Sequence, residues 1–190
     1  MMLAAQRKLL LVRVLALALF SFLLYGAAAD KFRLLQTGRP PAGTRIVLTP
    51  AELRQWLHDE QSAWAAYGVS NIRLTLGNAQ ATGYADVDFL KARKATTGQD
   101  SGWLLRNLFS GRKPVAVTAR FASAGGRGRV DIERVEVNGI PVQGPALDLL
   151  IDEFVKPSFP DAKVGEWFRM DYRIERFTLA SGGVTILIGK

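Results

Sequence analysis

The sequence predicts a single α+β domain whose antiparallel sheet is strongly curved and wrapped around one or two amphipathic helices. Three observations carry that expectation. Segments with two-residue apolar alternation come in pairs joined by glycine turns, the well-marked helices between them are spaced too irregularly for a βαβ repeat, and in one pair the alternation slips by one residue, as a β-bulge makes it do. The pattern yields about seven strands and two or three helices. The 190 residues include no cysteine, so disulfides are excluded and stability must come from a packed core.

The chain opens with Arg7 and Lys8 ahead of an apolar run over 14–25, which ends in Ala27, Ala28 and Ala29 just before Asp30. A positive n-region, an h-region and a small-residue exit make 1–29 a signal peptide. Counted over 9–29, the same run reaches the ~20 residues of a spanning helix, with Arg13 snorkelling inward, so a retained membrane anchor is the alternative. On both readings the cationic residues stay inside and Asp30 onward is exported, to the periplasm or the outer face of the inner membrane. Lacking cysteine, the chain cannot be acylated as a lipoprotein.

Residues 30–44 contain Gly38, Pro40, Pro41 and Gly43 among polar residues and read as a linker; 45–190 form the domain. A short strand is expected at 45–49. Thr49, Pro50 and Glu52 then make a capping box that opens a helix over 50–67, with Leu53, Trp56, Leu57, Trp64 and Tyr67 near one face and Gly68 at its end. From Val69 the period becomes two. Ile72, Leu74 and Leu76, a turn at Gly77-Asn78, and Ala81, Gly83, Ala85, Val87 and Phe89 make a hairpin with one apolar face. Residues 91–101 read as a polar loop, and 103–109, with Trp103, Leu104, Leu105, Leu108 and Phe109, as a short apolar helix or lip.

Val115, Val117, Ala119 and Phe121 mark the next strand, a glycine-rich turn follows at 125–128, and Val130 and Ile132 begin its partner. There the apolar set jumps to Val135 and Val137, a slip near Glu133 and Arg134. After a turn at Asn138-Gly139, Pro145 opens a helix over 145–156. Leu147, Leu150, Ile151, Phe154 and Val155 lie at i, i+3, i+4, i+7 and i+8, with Asp148 and Asp152 on the other side. A final hairpin spans 172–179 and 184–188.

Without its leader the chain keeps 161 residues, one domain able to bury roughly 70% of its unfolded surface, and 22 basic against 17 acidic residues, a net +5. That charge favours a membrane surface with anionic headgroups by roughly 1 kcal/mol for each Lys or Arg that reaches it. A basic surface that merely keeps the protein soluble is the plainer alternative. No nucleic-acid motif is present.

Chemistry has little to work with. The single histidine, His58, lies between Leu57 and Asp59 on a face that points outward, and with no cysteine the usual zinc ligand sets cannot form. Walker, G-x-S-x-G and H-E-x-x-H patterns do not occur. The carboxylate pairs Asp86/Asp88 and Asp148/Asp152 alternate with apolar positions and so face water, which makes a carboxylate-dependent hydrolase the weakest of the readings. No catalytic residue, metal or cofactor is expected.

The order of features resembles bacterial envelope proteins with TULIP-like domains, the tubular lipid-binding class. The resemblance spans about 45–188: a strand into a Thr-x-x-Glu-Leu helix start at 49–53, A-D-V-D-F at 85–89, G-R-V-x-I-E-x-V-x-V-N-G-I-P at 128–141, a proline-closed amphipathic helix, and a G-G-V-x-I terminal hairpin. It implies a curved sheet around a helix and an apolar groove for a phospholipid or similar amphiphile, with no catalytic residues to transfer. Apolar residues suited to such a groove are Leu53, Trp56, Trp103, Leu104, Leu108, Leu147, Leu150, Ile151 and Phe154. The expected function is therefore non-catalytic binding of a lipid or acyl chain, against the alternative of an envelope scaffold whose core is full.

Overall fold

The computed structural model describes residues 30, 31, 34, 40–98, 110–155 and 164–190, except for the side chains of 96, 97, 154 and 155. Along them run β1 (Arg45–Leu48), α1 (Pro50–Asp59), α2 (Gln61–Ala66), β2 (Val69–Gly77), β3 (Gln80–Asp88), α3 (Phe89–Thr97), β4 (Arg112–Ala124), β5 (Arg127–Val137), β6 (Ile140–Pro141), α4 (Pro145–Leu150) with a π-helical turn (Ile151–Val155), β7 (Trp167–Arg169), β8 (Ile174–Ala180) and β9 (Gly183–Ile188). The strands form a small sheet, β1-β9-β8, and a larger one, β2-β3-β4-β5-β6, with β7 added along β5. Every pairing is antiparallel.

The α+β class with an antiparallel sheet matches the alternation, but the expected strong curvature does not appear: the sheet is neither closed nor strongly curled. Three bulges are present, one each in the β2–β3, β4–β5 and β8–β9 pairs. Each bends its own strand and raises the twist locally.

Local chemistry explains most element boundaries. Thr49 Oγ1 accepts from the Glu52 N–H at 3.2 Å while Glu52 Oε2 accepts from the Thr49 N–H at 2.8 Å, the capping box expected at this start. The helix expected over 50–67 is broken at Glu60, where ψ rises to −3°. Both pieces pack along β2, and the break lets them follow that twisted strand with Trp56 and Trp64 edge to face, ring centres 6.5 Å apart. Burial at the break, with Asp59 beside it, pushes the Glu60 carboxyl above its ordinary range.

The β2–β3 turn falls at Asn78-Ala79, one residue later than expected, because Gly77 still pairs with Gln80. Residues 89–97, taken in part for a loop, form α3. Asp88 caps it by accepting from the Lys91 N–H at 3.0 Å, and Gly98, at φ 72°, ends it. Among its described side chains only Phe89 and Ala92 are fully buried, too few to leave an apolar stripe in the sequence. The slip near Glu133 is confirmed: Thr118 pairs with Arg134 and Ala119 with Ile132, leaving Glu133 as the extra residue. The helix expected over 145–156 is α-helical only to Leu150.

The larger sheet has two unlike faces. Ile72, Ala81, Val87, Val115, Val117, Ala119, Phe121, Val135 and Val137 are buried on the inner one. On the outer face Thr82 and Thr118 hydroxyls meet at 3.0 Å, Arg73 lies over the Tyr84 ring, and Arg120 pairs with Glu133 at 2.6 Å. In the small sheet, Ile46, Leu48, Val184, Ile186 and Ile188 join the same core as α1, α2 and Leu150. The linker is docked near its end, where Pro40 is buried and the Gly43 N–H donates to Ile188 O at 2.8 Å, and again at its start, where Lys31 reaches Glu52 at 2.5 Å and holds that carboxyl below its ordinary range. Among the described residues no helix is long and apolar enough to cross a membrane; the leader, 1–29, lies outside them.

The two sheets meet where β8 passes the end of β4. Ser123 Oγ donates to Phe177 O at 2.6 Å and accepts from the Phe177 N–H at 2.9 Å, so one hydroxyl stands in for a ladder pair. The Ala79 N–H to Leu179 O and Gly126 N–H to Glu175 O bonds continue the seam, and the Phe121 and Phe177 rings close over it edge to face. Ser123→Ala leaves the Phe177 backbone groups without these partners and should cost about 1–3 kcal/mol in denaturant unfolding, with an unchanged m value. An unaltered midpoint would show that the seam does not depend on the hydroxyl.

Candidate functional site

Apolar residues expected to line a ligand site divide by depth. Leu53 and Trp56 are each 2% exposed and Leu150 4%, all within one contiguous core cluster, whereas Leu147 and Ile151 are half-buried. Trp103, Leu104 and Leu108, with the rest of the 103–109 lip, lie outside the described residues, as does the side chain of Phe154. After Leu150 the backbone winds as a π-helix over Ile151–Val155, with an i→i+5 pattern in place of the expected α-helical one.

That turn meets α3 through a contact the sequence did not reveal. Arg93 Nε, on α3, lies 3.0 Å from Glu153 Oε2, with the two side chains only 16% and 28% exposed. An ion pair this sheltered pins α3 to the π-helical turn, and breaking it would leave a poorly solvated charge.

The inner face of the larger sheet is closed unevenly. Its centre, on β4, is buried, but Leu74 and Leu76 on β2 and Val130 and Ile132 on β5 are only partly covered. Between them the inward positions of β3 are small: Ala81, Gly83 and Ala85. Gly83 pairs with Leu74 on one side and Val117 on the other, and a methyl group built on it would meet nothing within 4 Å among the described residues. Glycine inside a strand often marks a close approach of another chain or a ligand. Among the described residues the space above it is open, flanked by Leu74 and Val117.

Polar groups near this interior are few. The Trp64 Nε1–H, on α2, is buried with no hydrogen-bond partner among the described residues, a donor that a bound polar group or water would satisfy. The carboxylates have other occupations. Asp86 accepts from Asn71 Nδ2 at 2.6 Å and so holds Asn71 at φ 53° in the β2 bulge, while Asp88 caps α3. Asp148, Asp152 and His58 are exposed. No three His, Cys, Asp or Glu side chains among the described residues could together hold a metal ion. The bulge and cap roles were readable in outline, since Asn tolerates the left-handed region and Asp favours helix starts, but nothing local paired Asn71 with Asp86.

Comparison of the chain with family models, with curated proteins and with solved structures finds no match.

The joint variant Asp148→Asn/Asp152→Asn should unfold within about 0.5 kcal/mol of the parent, as exposed substitutions do, and should still support growth in a complementation assay. Loss of function at unchanged stability would make these carboxylates catalytic.

Proposed function

We propose that the protein is an exported, non-catalytic component of the cell envelope that binds a phospholipid or similar amphiphile along the inner face of β3. The observation that carries this is the space that the described residues leave open over Gly83, framed by the partly covered Leu74 and by Val117. A trough of this kind needs no polar machinery. At ~0.8 kcal/mol per buried CH₂, a chain of about 16 carbons gains roughly 12 kcal/mol on transfer from water, before ordering costs. Helix α4, its π-helical turn and the half-buried Leu147 and Ile151 would form the movable side, π-helical turns being frequent at functional sites. Export rests on the leader pattern of 1–29, and the membrane surface is the natural source of the ligand. Within the tubular lipid-binding class that the motif order resembles, helices and the small sheet would here close the trough in place of a curled sheet.

One observation favours the scaffold reading instead. Leu53, Trp56 and Leu150 are as deeply buried as any filled core requires. The two readings separate at Gly83. Native mass spectrometry of protein purified under mild conditions should show bound lipid, and Gly83→Leu should remove it while melting at the same temperature or higher, because the leucine occupies existing space. Lipid-free protein that takes up no fluorescent fatty acid, together with a Gly83→Leu variant that unfolds, would mean that the trough is filled and the protein is a scaffold.

A further inference from the structure

Of the eight large apolar residues exposed among the described residues, four fall between 164 and 172: Val164, Trp167, Phe168 and Tyr172. They surround β7, which pairs with the first residues of β5 and with no other strand. The register sets Arg127 directly opposite Arg169, and Arg129 opposite Trp167. Directly opposed residues share a face of the sheet, as do residues two apart along a strand, so three arginines and a tryptophan stand together.

Their charges are not equally answered. Arg129 grips both oxygens of Asp131 at 2.7–3.0 Å. Arg127 donates to the Trp167 carbonyl at 3.4 Å, and neither Arg127 nor Arg169 meets a carboxylate among the described residues, although Glu166 and Asp171 flank β7 in sequence. Like charges directly opposite in a sheet repel. A phosphate held between the two guanidinium forks removes that repulsion and uses their planar donors.

Aromatic side chains on the same rim choose a lipid surface over a soluble anion. Trp167 and Phe168 project from opposite faces of β7, so the open edge of the strand carries a ring on each side. Beyond it, Tyr172 and Arg173 both hold left-handed backbone at φ 57°, a conformation bulky residues avoid, and Tyr172 remains 47% exposed. Tryptophan and tyrosine favour the headgroup layer, where an apolar ring and a polar edge are both satisfied. We infer that the rim formed by β7 and the start of β5 docks the protein onto an anionic phospholipid surface, with Arg127 and Arg169 on a headgroup phosphate and Trp167 in the interfacial layer. This docking is separate from the trough over Gly83, and each stands if the other fails.

The full chain should be partitioned onto vesicles of phosphatidylcholine alone and of phosphatidylcholine mixed with phosphatidylglycerol. The leader contributes equally to every variant. Arg127→Gln/Arg169→Gln should lower the preference for the anionic vesicles roughly 30-fold, the effect of two arginines at a charged surface, without changing the circular dichroism or the co-purified lipid. Trp167→Ala should weaken partition to both vesicle types and keep the preference. Amide hydrogen exchange over 164–173 should slow with anionic vesicles. An undiminished preference in the double variant, or no protection of that segment, overturns the inference. So does protection by free inorganic phosphate equal to that by vesicles, which would make this a site for a soluble anion.

Discussion

The larger sheet gathers its valines, isoleucines and leucines on one face, and water cannot be left against that face without a penalty near 25 cal/mol for each Å². Helices α1 and α2 close over β2, the small sheet closes over the end of β4, and Leu150 brings in α4, all in one contiguous core. The seam at Ser123 and Phe177 is what lets two sheets serve one interior: without a ladder between them, the hydroxyl satisfies both backbone groups that would otherwise be buried alone. Even the docked end of the linker and the break at Glu60 follow from the need to cover this face along a twisted strand.

Among the described residues the cover over β3 is thinnest at Gly83 and Ala85, which are half-buried, while Ala81 is buried. Ala81, Gly83 and Ala85 lower the floor along β3, while Leu74 and Val117 raise its walls. A close-packed interior would be expected to fill such a hollow with a large residue from the opposite layer, since voids forfeit dispersion contacts. Among the described residues none comes within 4 Å of a methyl group built on Gly83. The proposed ligand takes the place of that missing residue. Stability and binding then draw on the same apolar surface.

The parts of this fold that were legible in the sequence are those set by near neighbours. The capping box at Thr49, the extra residue at Glu133 and the glycine turn before β9 each depend on a few consecutive residues. The break at Glu60, the π-helical winding after Leu150 and the division into two sheets depend on what lies across the core, and alternation reports which face a residue takes but not which strand it meets. Helix α3 was hidden for a different reason: among its described side chains only Phe89 and Ala92 are deeply buried, so its periodicity never showed, although Asp88 and Gly98 bound it with ordinary caps. Of the expected ligand residues, Leu53, Trp56 and Leu150 are interior and Leu147 and Ile151 marginal. Gly83 was visible only as part of an alternating strand, because the space above a glycine is a property of the opposite layer.

The account turns on whether the hollow over β3 holds a ligand or a side chain. An experimental electron-density map of protein isolated without delipidation decides this directly. The account predicts elongated density lying along β3 beside Gly83, in contact with Leu74 and Val117 and continuing toward α4. Well-ordered side chains packed against Gly83, with no density left over, would contradict it.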